Sequence, residues 1–370
     1  MTSRRRAIAI VSALLVAWAI APVAGRAADS LPAKLTDKEF WGLIDEFSEP
    51  NGFFQSDNLV SNEDTFQFVI PRLLQTTKPG GVYLGVGPDQ NFTYIAALKP
   101  KIVFITDIRR GNLDAHLMYK ALFELSADRA DFLSRLFSRK RPAGLAADAS
   151  AVDLFAAFRS VDPSQDLYDQ TWKQMSDLLA KQHGSPLESG DISGIEHVFS
   201  SFYAVGPTLS YSMSGNGRGV MRYPSFEDLQ LANDGEGHQR GYLASDESFK
   251  VLKTIEHDNR LVPLVGDFAG THALRSVGQY LADHGATVTA FYTSNVEQYL
   301  FQNMVWPQFA RNVATLPLDE SSTFIRSCFN TCASPVGSRS VSLLDSMPSL
   351  LRDFNEGRIV SYGQVLNHSR

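Results

Sequence analysis

The sequence offers chemistry at a few places. Gly85 and Gly87 stand in the turn Gly85-Val86-Gly87-Pro88-Asp89-Gln90-Asn91, which follows the apolar run Val82 to Val86. Glycine in such a turn lets a ligand approach the backbone with no Cβ in the way. Asp107 closes the next apolar run, Ile102 to Thr106, and lies 20 residues beyond Gly87. At that spacing an acid at the end of a second strand can accept hydrogen bonds from ribose hydroxyls. Two readings of the glycines stand, a ligand turn that also brings Gln90 and Asn91 to a cofactor, and a tight turn alone. Asp107-Ile108-Arg109-Arg110 sets two cations beside the acid, which could equally serve a local ion pair.

Three further segments carry polar residues at comparable places. Asp267, between Gly266 and Gly270, is either a cofactor contact or the N-cap of a following helix. Ser294-Asn295-Val296-Glu297 reads as a capping box, with Asn295 and Glu297 as the alternative substrate contacts. In Asp57-Asn58-Leu59-Val60-Ser61-Asn62-Glu63, Ser61 is expected to cap a helix, and Asn62 and Glu63 are the candidate substrate contacts.

The elements that must position these residues follow from periodicity. Thr36 and Glu39 form a capping box ahead of Phe40, Trp41, Leu43, Ile44 and Phe47, and a second helical pattern runs from Phe66 to Leu74. Strand, turn and helix then alternate through Leu98, Asp107, a helix-rich stretch over about 112–180, and a Gly- and Ser-rich stretch over 182–245. A strand is expected near His197 to Tyr203, and the loop Ser214 to Gly219 reads as a surface loop. A second strand–helix series covers Leu261 to Val265, a helix stopping at Gly285, and Thr287 to Tyr292. The alternation predicts an α/β fold, a mostly parallel sheet with helices on both faces. In such sheets ligands bind outside the carboxyl ends of the strands, so four polar strand ends are expected to share one crevice.

With these residues in view, the chain resembles the class I S-adenosylmethionine-dependent methyltransferase superfamily over about 80–110 and 250–300. It also looks like a bacterial family of exported proteins with that fold, through the runs DNLVSNE, GVGPDQNFTYIAAL, ITDIR and GDFAG. The resemblance implies a Rossmann-like, methyltransferase-like sheet, with cofactor contacts at Gly85, Gly87 and Asp107. The turn departs from the superfamily pattern at Tyr83, Pro88 and Asp89. Pro88 removes a backbone donor and Asp89 adds charge, which disfavours a dinucleotide pyrophosphate and leaves S-adenosylmethionine as the cofactor expected. The expectation is therefore a protein that binds S-adenosylmethionine and transfers a methyl group to an acceptor. The alternative is a non-catalytic exported protein that binds a small ligand or partner on a degenerate methyltransferase-like fold.

Composition narrows the rest. The 370 residues are 44% hydrophobic and 20% charged with a formal net charge of −6, a globular profile without the basic face that nucleic-acid binding requires. No HExxH, GxSxG or GxxxxGK[ST] pattern occurs, and eight scattered histidines predict no metal site. Arg4, Arg5 and Arg6 precede an uncharged apolar run from Ala7 to Ala24 and small residues at Gly25, Ala27 and Ala28. Residues 1–27 thus read as a signal peptide, by the general secretory route or the twin-arginine one, with an uncleaved anchor as the alternative. The mature protein is expected outside the cytoplasm, periplasmic or secreted, with no integral membrane association and a small molecule as partner. Cys328 and Cys332 would then bridge a tight turn, or stay free if the segment is a regular helix. The expected organisation is a helical extension or lid over 28–79, a Rossmann-like domain over 80–345 with an insertion at about 112–248, and a tail over 346–370 packed on it.

Overall fold

The structure is a computed structural model that describes residues 30–146, 148–211, 223–329 and 331–369. The expected signal peptide and the Ser214–Gly219 loop lie outside the described residues.

Helix α1 (Asp37–Phe47) opens the described chain, with the Thr36–Glu39 capping box formed as expected. A 3-10 turn, Phe66–Val69, leads into α2 (Ile70–Thr76). Strand β1 (Val82–Gly85), α3 (Gln90–Leu98) and β2 (Ile102–Asp107) follow. Among the described residues seven α-helices then intervene: α4 (Arg110–Leu125), α5 (Arg129–Leu136), α6 (Ala151–Arg159), α7 (Gln165–Asp177), α8 (Ser189–Val205), α9 (Phe226–Leu231) and α10 (Asp246–His257). The chain returns through β3 (Leu261–Val265), α11 (Ala273–Asp283), β4 (Val288–Ser294), α12 (Val296–Gln302) and α13 (Trp306–Val313). It ends in β5 (Leu318–Phe329), β6 (Ser340–Ser346), α14 (Met347–Asn355) and α15 (Tyr362–His368).

The six strands form one sheet in the order β3-β2-β1-β4-β5-β6. Five run parallel, and β6 pairs antiparallel with β5. Every residue of β1, β2 and β3 is buried, the signature of a sheet covered on both faces. The order reverses between β1 and β4, where an open α/β sheet leaves a crevice. The protein is thus α/β with a mixed, mostly parallel sheet.

The strand expected near His197–Tyr203 is instead the second half of α8. Ile195, Val198, Phe199 and Phe202 are its buried face, and their spacing is helical. Cys328 and Cys332 form a disulfide at the end of β5. Among the described residues no helix is long and apolar enough to cross a membrane.

Candidate functional site

The carboxyl ends of β1, β2, β3 and β4 face one crevice of about 250 Å3. Of the residues singled out from sequence, Asn62, Glu63, Gly87, Asp107, Asp267 and Asn295 line it. The segment before β1 closes one side with Phe53, Phe54, Asn58 and Ser61, while Tyr211, Phe268, Tyr292 and Tyr299 add aromatic wall. Asn58, Gly87 and Ser294, all lining residues, hold left-handed backbone with φ of 50°, 77° and 51°. For the two non-glycines this is a cost that persists only where surrounding contacts fix it, and such positions cluster at functional sites.

Gly87 turns the chain out of β1, and a Cβ there would meet only Asn58 Nδ2 at 3.4 Å, so its surface is open to the crevice. Gly85, by contrast, does not line the crevice. A Cβ on it would lie 2.0 Å from Asn91 Oδ1, and the glycine exists to admit that side chain. Asn91 donates Nδ2 to the carbonyls of Val86 (2.9 Å) and Pro88 (2.7 Å) and accepts from Tyr83 OH (2.9 Å). It shapes the turn from below and is fully buried, so the expected cofactor contacts at Gly85 and Asn91 are corrected to structural roles. Tyr83 supplies the hydroxyl that orients Asn91.

The Asp89 side chain also leaves the crevice. Gln230 and Tyr242 each donate to Asp89 Oδ2 at 3.1 Å, and burial pushes its carboxyl up to about 7. His116 Nε2 lies 2.9 Å from the Gly87 carbonyl, which can only accept, so Nε2 carries the proton. Burial holds this imidazole down to about 4, and its buried Nδ1 has no partner among the described residues.

At the end of β2 the local ion pair is formed. Arg109 donates Nε to Asp107 Oδ1 and Nη2 to Asp107 Oδ2, both at 3.1 Å. Its Nη1 donates to the carbonyls of Ser56 (3.0 Å) and Asp57. One guanidinium therefore fastens the segment before β1 to the strand end, and both oxygens of Asp107 already have donors. Arg110 turns away to Asp191, 2.7 Å.

Glu63 is the buried carboxylate of the opposite wall. It accepts from Gln90 Nε2 (2.7 Å), Tyr292 OH (2.8 Å) and the Ser294 hydroxyl, and Gln90 itself accepts from Ser61. Gln90 does not reach the crevice and acts through Glu63. Ser61 forms this bridge rather than a helix cap; the following 3-10 turn starts after Thr65. The expected capping box at Ser294–Glu297 is absent: α12 starts after Asn295 with no side-chain cap. Glu297 is fully buried, paired with Arg326 and accepting from Trp306 Nε1 at 2.9 Å, which removes it from the candidate substrate contacts. Arg326 also donates to Asp345, 2.6 Å.

At the end of β3, Asp267 accepts from Ala269 N (2.9 Å) and caps only its own turn. The backbone donors ahead of α11 go to Glu49 instead: its Oε2 accepts from Asp267 N (2.8 Å) and its Oε1 from His272 N (2.9 Å) and Ala273 N (3.1 Å). Gly270 is required there, since a Cβ would stand 2.4 Å from Glu49 Oε2.

Among the described residues one group has metal-ligand spacing, Asp234, Glu236 and His238. Asp234 accepts from Arg240 (2.6 Å) and from the backbone N–H groups of Glu236 and His238, so its carboxylate is already engaged within its own loop. Sequence reasoning overlooked Phe53, Phe54, Tyr211, Tyr292 and Tyr299. Only Tyr292, next to a named strand end, carried a signal of its place.

No curated protein matches the chain. Two stretches, residues 58–180 and 224–347, together more than half of its length, match one family, and they contain the crevice residues from Asn58 onward except Tyr211. The chain belongs to the family described as Domain of unknown function (DUF7790).

Proposed function

We propose that the crevice binds S-adenosylmethionine and that the protein is methyltransferase-like, transferring the methyl group to a small acceptor. The observation that carries this reading is the convergence of four strand ends on one cavity, with Gly87 open to it and Asp107 at the end of the second strand. Methyl transfer depends mainly on aligning acceptor and methyl group, so a walled crevice with Asn62, Glu63 and Asn295 on one side suits it without a nucleophile of its own. Residues 1–27 act as a signal peptide in this reading, and the Cys328–Cys332 disulfide fits an oxidising compartment. Terminal sequencing of the protein recovered from the periplasm or medium tests the export.

One observation favours a second reading, a binding protein without catalysis. Asp107 accepts from Arg109 on both oxygens, so a ribose must share a carboxylate already engaged. Calorimetry with S-adenosylmethionine decides between them. Binding near micromolar, about −8 kcal/mol, that weakens at least tenfold in Asp107→Asn supports the cofactor reading. No binding by a folded protein overturns it.

A further inference from the structure

The charge inside the crevice is unbalanced. Its charged lining residues, among those described, are Glu63, Asp107 and Asp267 against Arg109 alone. Arg109 is spent on Asp107 and on two backbone carbonyls. The three donors to Glu63, from Gln90, Tyr292 and Ser294, are all neutral and bring no countercharge. Asp267 gives one oxygen to Ala269 N, and its other oxygen has no partner among the described residues.

Of the two places where a phosphate would normally sit, one is filled and the other is short of a donor. Backbone N–H groups at a helix start are the usual anion socket of such folds, and before α11 they hold Glu49. In the turn after β1, Pro88 has no N–H to offer. The walls are aromatic, with Phe54 and Tyr299 edge-to-face at 5.4 Å and Tyr211, Phe268 and Tyr292 alongside. Ring faces attract cations, and most strongly those that shed water easily, such as sulfonium and alkylated ammonium groups.

We infer that the crevice selects a cationic small molecule of the sulfonium or amine class and rejects phosphate-bearing nucleotides. The inference deepens the cofactor reading and rests on the crevice being the ligand site. The cavity and its rings make the site; the carboxylates set which charge it takes. The cation is either the sulfonium of the cofactor or an ammonium on the acceptor.

A charge series separates these sources. The full protein is titrated calorimetrically with S-adenosylmethionine, S-adenosylhomocysteine, adenosine 5′-monophosphate and choline. The expected result is that S-adenosylmethionine binds about tenfold or more tighter than its neutral thioether counterpart, with the monophosphate weakest. Asp267→Asn keeps the acceptor for Ala269 N while removing one charge. It is expected to shrink the sulfonium preference at least threefold, roughly, with little change for the thioether. Equal or tighter binding of S-adenosylhomocysteine or of the monophosphate overturns the charge inference while leaving the adenosyl reading standing. Binding of choline alone, weakened in Asp267→Asn, supports the charge inference and overturns the adenosyl reading. Silence from all four ligands, with a cooperative melting transition showing the protein folded, overturns both.

Discussion

After β1 the chain turns through Gly85 and Gly87 into α3, and after β3 it turns through Gly266 and Gly270 into α11. The two turns begin from similar sequence and end in opposite states. The second is filled from outside by Glu49, a carboxylate more than 200 residues away that takes three backbone N–H groups. The first is braced from inside by Asn91, whose amide turns back on the carbonyls of its own loop and leaves Gly87 facing the crevice. A glycine turn is therefore no guide to ligand binding until the fate of its donors is known.

The contrast can be broken most severely at Gly85. Gly85→Ala drives a Cβ to within 2.0 Å of Asn91 Oδ1 and 2.9 Å of Ile105 Cδ1. Denaturant unfolding should show a loss of about 2–3 kcal/mol; a loss below 1 would mean the turn is not braced as described. Next comes Glu49→Ala, which strips the cap from α11 at a cost of about 1–2 kcal/mol. The emptied helix end then resembles an anion socket, so phosphate should raise the melting temperature of this variant more than that of the parent.

Gly87→Ala tests the open side. Its φ of 77° costs alanine about 1 kcal/mol, with no hard clash. Thermal melts should therefore change little, while ligand affinity falls by a larger factor than in Gly85→Ala corrected for its unfolded fraction.

The smallest effect is a titration. Asp89 is held up to about 7 in the fold against 3.8 as its ordinary value, so the folded state keeps a proton that the unfolded chain has lost. Its stabilisation is complete below about pH 4 and disappears as pH rises through 7. Asp114 at about 7 and Glu256 at about 8 act in the same direction, as does His183, raised first by Glu124. His116 has the opposite sign, but only below about 6.5. Stability should thus decline between pH 6.5 and 8.5, and Asp89→Asn should flatten that decline by somewhat under about 1 kcal/mol. An unchanged slope would mean that this buried acid is ionised throughout.

The central strands and most helices were legible because their burial is periodic or continuous. Val82–Gly85, Ile102–Asp107 and Leu261–Val265 are buried on both faces and read as apolar runs. Strands β5 and β6 gave no such signal: β5 buries the polar Ser322, Thr323, Arg326 and Ser327 among its apolar residues, so no continuous apolar run marks it. In α8, the short run around Val198 fits either period, and only Ile195 one turn earlier decides for the helix. The site was half legible for a related reason. Strand ends announce polar residues, but whether a carboxylate serves a ligand depends on distant partners. Arg326 withdrew Glu297, Glu49 replaced Asp267 as helix cap, and Gln90 became a prop for Glu63.

The pairing of Arg326 reaches further than the crevice wall. Its guanidinium also donates Nη1 to the Ser369 hydroxyl at 3.1 Å, and Asp345, its second carboxylate, is held by His368 Nδ1 at 2.6 Å. Ser369 directly, and His368 through Asp345, thus bear on the same buried cation that steadies α12 and with it Asn295 and Tyr299 on the crevice. Removing α15 would therefore be felt at the crevice wall, through Arg326 and α12. A short helix remote from the strand ends is in this way coupled to the crevice they form.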